Sequence, residues 1–116
     1  MSGDRGTGVV TVLMTAPGTE SAEAVTRALV EERLAACGNI IPGAVSIYRW
    51  KGEIQRDEEV VVVLKTTRNL LPSLLERAAE LHPYDVPELL GQEVVEGAPE
   101  YLAWVRSECG AGPERP

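Results

Sequence analysis

The stretch Asn39-Ile40-Ile41-Pro42-Gly43-Ala44-Val45-Ser46-Ile47-Tyr48-Arg49-Trp50-Lys51-Gly52, continued through residues 53–67 (EIQRDEEVVVVLKTT), decides the fold. Both halves alternate as strands do, and the dipeptide Lys51-Gly52 between them predicts a hairpin with a tight turn. Pro42-Gly43 interrupts the first arm and predicts a bulge or bend there. Residues 60–64 are apolar at every position, as in a strand covered on two sides. These arms overrun the roughly 5–6 residues usual in a small sheet, so part of the hairpin is expected to project. Tyr48 and Trp50 share a face near its tip. A projecting strand with apolar and aromatic faces needs a cover, and pairing with the edge of a second copy is the physical remedy.

Working outward, residues 9–15 are β-branched and apolar and end at Ala16-Pro17-Gly18, a strand followed by a turn. Thr19 is the expected N-cap of a helix running to about Ala36, with Ala22, Val25, Leu29 and Ala36 on one face and Gly38 closing it. Arg33 falls on that same face, where it pairs with a carboxylate or lays its stem along the core. After the hairpin, Leu71, Leu74, Leu75, Ala78 and Leu81 recur at helical spacing, with Pro72 in the first turn and Pro83 as the stop after His82. Residues 89–95 read as a short strand, and Pro99 opens a last helix containing Tyr101, Leu102, Trp104 and Val105. The order β-α-β-β-α-β plus a C-terminal helix predicts an α+β, ferredoxin-like sandwich with a long hairpin between its second and third strands. The folded domain is expected over residues 8–109, with loose tails at 1–7 and 110–116.

With 116 residues the chain is long enough for one domain with its own core. Its 18 acids outweigh 11 Lys and Arg, giving a formal charge of −7 and no basic patch, which excludes nucleic acid as an expected partner. No apolar run approaches the roughly 20 residues of a membrane span, and the first residues lack a signal-peptide pattern. Two cysteines, Cys37 and Cys109, without CxxC spacing fit a reducing, cytoplasmic setting.

No nucleophile–base pair, phosphate loop or dinucleotide motif is present, so an enzyme is the least supported reading. Cys37, placed at a helix C-terminus, reads as a packed and inert thiol. His82 ends a helix within residues 76–100, which hold seven acids and one base. Imidazole beside carboxylate or thiolate suits copper or zinc, although a lone His is more often a locally hydrogen-bonded cap.

The segments Arg27-Ala28-Leu29-Val30-Glu31-Glu32-Arg33-Leu34-Ala35-Ala36-Cys37, Asn39-Ile40-Ile41-Pro42-Gly43, Ser46-Ile47-Tyr48-Arg49-Trp50-Lys51-Gly52, Leu64-Lys65-Thr66-Thr67, His82-Pro83-Tyr84-Asp85-Val86-Pro87-Glu88 and Tyr101-Leu102-Ala103-Trp104, together with Glu59-Val60, resemble the CutA divalent-cation tolerance family. The resemblance covers residues 8–108. It implies a homotrimer like that of the PII signalling proteins, joined through paired hairpins, and a role in tolerance of divalent metals, copper above all. Some bacterial members are described with a copper site made from a first-strand Cys and two consecutive His. Those positions read Met14, Leu81 and His82 here, so the metal candidates become His82, Met14 and Cys37. Tyr48, Trp50, Lys65, Tyr84, Glu88, Tyr101 and Trp104 are expected at the intersubunit cleft or interface. A second reading is a PII-like module that binds a small anionic effector through Lys65 or Arg49.

Overall fold

The computed structural model describes residues 6–110. The strand Val9–Ala16 (β1) turns at Pro17-Gly18 into the helix Thr19–Glu31 (α1). The hairpin follows as Cys37–Trp50 (β2) and Glu53–Thr67 (β3). A single 3-10 turn at Arg68–Leu70 feeds the helix Leu71–Leu81 (α2), and then come the strand Leu89–Glu93 (β4) and the helix Pro99–Glu108 (α3). The sheet order is β2-β3-β1-β4 with every neighbouring pair antiparallel, the order of a ferredoxin-like sandwich. Thr7, expected in the N-terminal tail, donates its backbone amide to Val94 O at 3.1 Å, and Gly110 donates to Arg33 O at 2.8 Å. Residues 1–5 and 111–116 of the expected tails lie outside the described residues.

The first helix stops five residues before its expected end. Glu32 caps it, and Arg33 takes the left-handed conformation (φ 63°) that reverses the chain. Leu34, Ala35 and Ala36 are good helix formers, but sheet pairing overrides that propensity. The Ala36 amide already donates to Lys65 O at 2.8 Å. Gly38 therefore belongs to β2 and does not close the helix. A Cβ there would lie 2.7 Å from Thr26 Cγ2 and 2.8 Å from Leu64 Cδ2, so the strand can approach α1 only with glycine at this position. The position before α1 is Gly18, which gives no side-chain cap, and Thr19 is the first helical residue. Arg33 reaches the far end of the fold: its guanidinium donates to the carbonyls of Gly110 (3.1 Å) and Ser107 (3.3 Å), where α3 ends and its dipole is negative.

Side-chain alternation puts Val12, Met14, Ala16, Val60, Val62 and Leu64 on one face of the sheet. Against them pack Ala22, Val25 and Leu29 of α1 and Leu74 and Ala78 of α2. Burying each large apolar side chain contributes about 1.5–3 kcal/mol. A second cluster of Val9, Ala36, Leu102, Val105 and Cys109 seats α3 across one end of the sheet. On the other face Thr11, Leu13, Val61 and Val63 are only half-buried. Within one chain, the two-sided cover expected for residues 60–64 is complete on one face alone.

The hairpin turn is a two-residue loop with positive φ at both Lys51 (52°) and Gly52 (83°), the conformation whose twist matches the flanking strands. The expected bulge is present, as a register shift between Ile41 and Ala44 around Gly43 (φ 90°). β1 runs out opposite Val60, so residues 44–50 and 53–59 pair only with each other and project from the sheet. The radius of gyration, 15.3 Å, exceeds the about 13–14 Å of a compact chain this long. The arm is apolar on both sides: Ile47 (69% exposed) and Ile54 (61%) lie on one face, and Tyr48 and Trp50 on the other.

Candidate functional site

Where the arm leaves the sheet, the connection from α2 to β4 folds back toward it and encloses a cleft of about 630 Å³. Asp57 and Glu59 enter from β3, and Asp85 and Glu88 from the connection. Tyr48 and Trp50 of β2 and Tyr84 supply aromatic surface. Tyr84 Oη donates to Glu59 Oε2 at 2.8 Å, and Tyr48 Oη donates to Asp57 Oδ2. Burial first, then the bond to Glu59, pushes the Tyr84 phenol up to about 12. The bond to Asp57 raises Tyr48 as well. Both phenols therefore stay neutral, and the negative charge of the cleft resides on its carboxylates. None of the described lining residues is basic.

His82 holds this connection in place. The extended backbone at His82 ends α2, and the ring is buried beside Tyr84, with centroids 4.9 Å apart. Nδ1 lies 3.1 Å from the Tyr84 amide nitrogen, and Nε2 lies 2.7 Å from Thr15 O. A backbone amide can only donate, so Nδ1 is the acceptor and Nε2 carries the proton given to the Thr15 carbonyl. That arrangement engages both nitrogens and leaves no ring lone pair for a metal.

The three metal candidates are not brought together. Met14 is fully buried in the core between sheet and helices. Cys37 pairs in register with Lys65, which faces Thr11 on β1, three residues from Met14 and on the opposite face of the sheet. Cys37 does not end a helix, as expected from sequence, but opens a strand. Its Sγ lies 3.5 Å from Tyr101 Oη, and that contact is the leading reason the Tyr101 phenol is pushed up to about 12. Among the described residues, no three His, Cys, Asp or Glu side chains converge as a metal ion requires.

The remaining candidates divide between two places. Tyr48, Trp50, Tyr84 and Glu88 share the cleft. Lys65, Tyr101 and Trp104 sit with Cys37 toward the other end of the sheet, about 20 Å along β3 from Glu59. Lys65 Nζ donates to Asn39 Oδ1, and neither Lys65 nor Arg49 lines the cleft. Asp57, Glu59 and Asp85 were not among the residues expected from sequence. The available signal was alternation, which places Asp57 and Glu59 on the same face as Tyr48 and Trp50 across the hairpin.

An antiparallel β2-β3-β1-β4 sheet, two helices on one face, a third across its end and an acidic, aromatic cleft at the root of a projecting hairpin define a ferredoxin-like α+β domain of a specific kind. Residues 10–108 match the family model of the CutA1 divalent ion tolerance protein. The divalent-cation tolerance protein CutA of Thermus thermophilus is 52% identical over 99 residues, covering 85% of this chain and 96% of that one. Protein CutA of Mus musculus is 45% identical over 97 residues, covering 84% of this chain, which spans 55% of that relative's length. The crystal structure of CutA from Xylella fastidiosa superposes with a TM-score of 0.87 at 42% identity, covering 89% of this chain and 99% of that one. The chain belongs to the CutA1 divalent ion tolerance family.

Proposed function

We propose that the chain works as a non-enzymatic, cytoplasmic homotrimer in the cell's response to divalent cations, copper foremost, with a trimer architecture like that of the PII proteins. The observation that carries the assembly is the arm: seven residue pairs project beyond β1 with apolar side chains bare on both faces. Among the described residues, the outer edge of the 14-residue β2 has no partner strand in the sheet. Such an edge is satisfied by the hairpin of another copy, and closed cyclic symmetry then leaves no further edge open. The free thiols Cys37 and Cys109 support a reducing compartment.

The metal side of the reading rests on charge. With both His82 nitrogens engaged, divalent cations act on the protein through the field of its carboxylates. The −7 of one chain becomes −21 when tripled. The same sign argues against a small anionic effector in the cleft. Sedimentation of the wild type beside Ile47→Lys tests the assembly. The wild type is expected at three times the 12.5 kDa of one chain and the variant at a lower mass. A wild type that stays at 12.5 kDa at low micromolar concentration would refute the assembly.

A further inference from the structure

Edge pairing between copies joins backbones and leaves both faces of each projecting arm bare. The two faces carry opposite charge. The register places Glu53, Asp57 and Glu59 on one face beside Tyr48 and Trp50, three acids and no base. The reverse face carries Arg49 and Arg56 with a single acid, Glu58, among Val45, Ile47 and Ile54. One face is therefore −3 and the other +1, in a chain whose net charge is −7. Resting on the assembly proposed above, we infer that these faces are the two halves of one contact between copies. The arginine face of one arm docks on the acidic, aromatic face of the next, and the occupant of the cleft at the hairpin root is the arm of a second copy.

Spacing, chemistry and sign agree on this pairing. Arg49 and Arg56 are diagonal neighbours across the hairpin, about 7–8 Å apart. Asp57 and Glu59 lie two residues apart on β3, about 7 Å, so two cations face two anions at matching separation. Both arginines are exposed, and neither is paired with an acid among the described residues. Tyr48 and Tyr84 each occupy one carboxylate oxygen, which fixes Asp57 and Glu59 in position and leaves each a second oxygen to accept from a guanidinium. Ile47 and Ile54 on the docking face need apolar cover, and the opposite face offers the rings of Tyr48 and Trp50, on which a guanidinium also stacks. A two-fold contact would lay like charge on like, three acids against three or arginine against arginine, and is repelled. Unlike faces meet only head to tail, the arrangement that closes as a ring.

The test is sedimentation of the full chain and of charge-reversed variants at low micromolar concentration, each shown to be folded by circular dichroism. Arg49→Glu with Arg56→Glu turns the docking face to −3. It is expected to raise the concentration at which the assembly dissociates at least about tenfold. Adding Glu53→Lys and Asp57→Lys makes the acidic face +1, so the two wild-type charges are exchanged between faces. That fourfold variant is expected to return to three times 12.5 kDa. All four side chains are exposed. If the fourfold variant does not fold, Arg49→Glu against Arg49→Glu with Asp57→Lys carries the same comparison of loss and rescue. Wild-type mass in Arg49→Glu with Arg56→Glu, the result expected if the acidic face held a small cation, would overturn the inference. A folded fourfold variant that stays dissociated would also overturn it. A wild type at 12.5 kDa would refute the assembly and this contact with it, whereas a wild-type trimer indifferent to both reversals would refute the contact alone.

Discussion

His82 Nε2 and the carbonyl oxygen of Thr15 lie 2.7 Å apart in the interior, joining the end of α2 to β1 across 67 residues of sequence. Together with the Tyr84 amide on Nδ1, this bond fixes the connection that forms one wall of the cleft. His82→Ala leaves a buried carbonyl and a part-buried amide without partners. It is expected to lower stability by about 2–4 kcal/mol, measured by urea denaturation. A loss under about 0.5 kcal/mol, the size of an ordinary surface substitution, would show that the ring is not a fastening.

The contact between α1 and the start of β2 makes a paired prediction. Thr26 Oγ1 is the one buried side-chain polar atom among the described residues without a hydrogen-bond partner. Thr26→Val keeps the shape and removes the desolvated hydroxyl, so a gain of about 1 kcal/mol is expected. Gly38→Ala drives a methyl group into Thr26 and Leu64 and is expected to cost about 1–3 kcal/mol. Thermal unfolding of the two variants should shift the midpoint in opposite directions.

All three tyrosines are held neutral by their surroundings: Tyr84 and Tyr101 are pushed up to about 12, and Tyr48 is raised as well. In the unfolded chain a phenol ionises near pH 10. Below that pH both states are protonated and the contribution to stability is complete. Between about 10 and 12 the unfolded chain loses protons that the folded chain keeps, so stability falls as pH rises. Stability curves at pH 9 to 11 should show this decline, and Tyr84→Phe should make it shallower. Phenolate absorbance that develops near pH 10 in the native protein would contradict it.

The topology was legible because the strong signals agreed. The long alternating hairpin, Lys51-Gly52 at its turn, Pro42-Gly43 at its bulge and the leucine spacing of α2 all indicate one arrangement. What was not legible depended on contacts distant in sequence. Leu34-Ala35-Ala36 has the composition of a helix, and the bond from the Ala36 amide to the Lys65 carbonyl draws the chain out of the helix and into β2. That error moved Cys37 from a helix end to a strand start. His82 could be read as a metal ligand because nothing near it in sequence reveals the Thr15 carbonyl that takes up Nε2. Likewise Asp57 and Glu59 read as surface acids of a strand until the connection at residues 83–88 folds over them. Tyr48, Trp50, Tyr84 and Glu88 were identifiable as a group by resemblance, and their division from Lys65, Tyr101 and Trp104 required the register.

Copper titration of the wild type and His82→Gln, at low salt and at 0.15 M salt, tests the central claim about cations most directly. Circular dichroism should first establish that the variant is folded. At 0.15 M the screening length is about 8 Å, so attraction by spread carboxylates weakens while a chelating centre is little affected. The account predicts equal, weak binding by both proteins, reduced together by salt. A stoichiometric, salt-resistant site in the wild type that disappears in His82→Gln would contradict it.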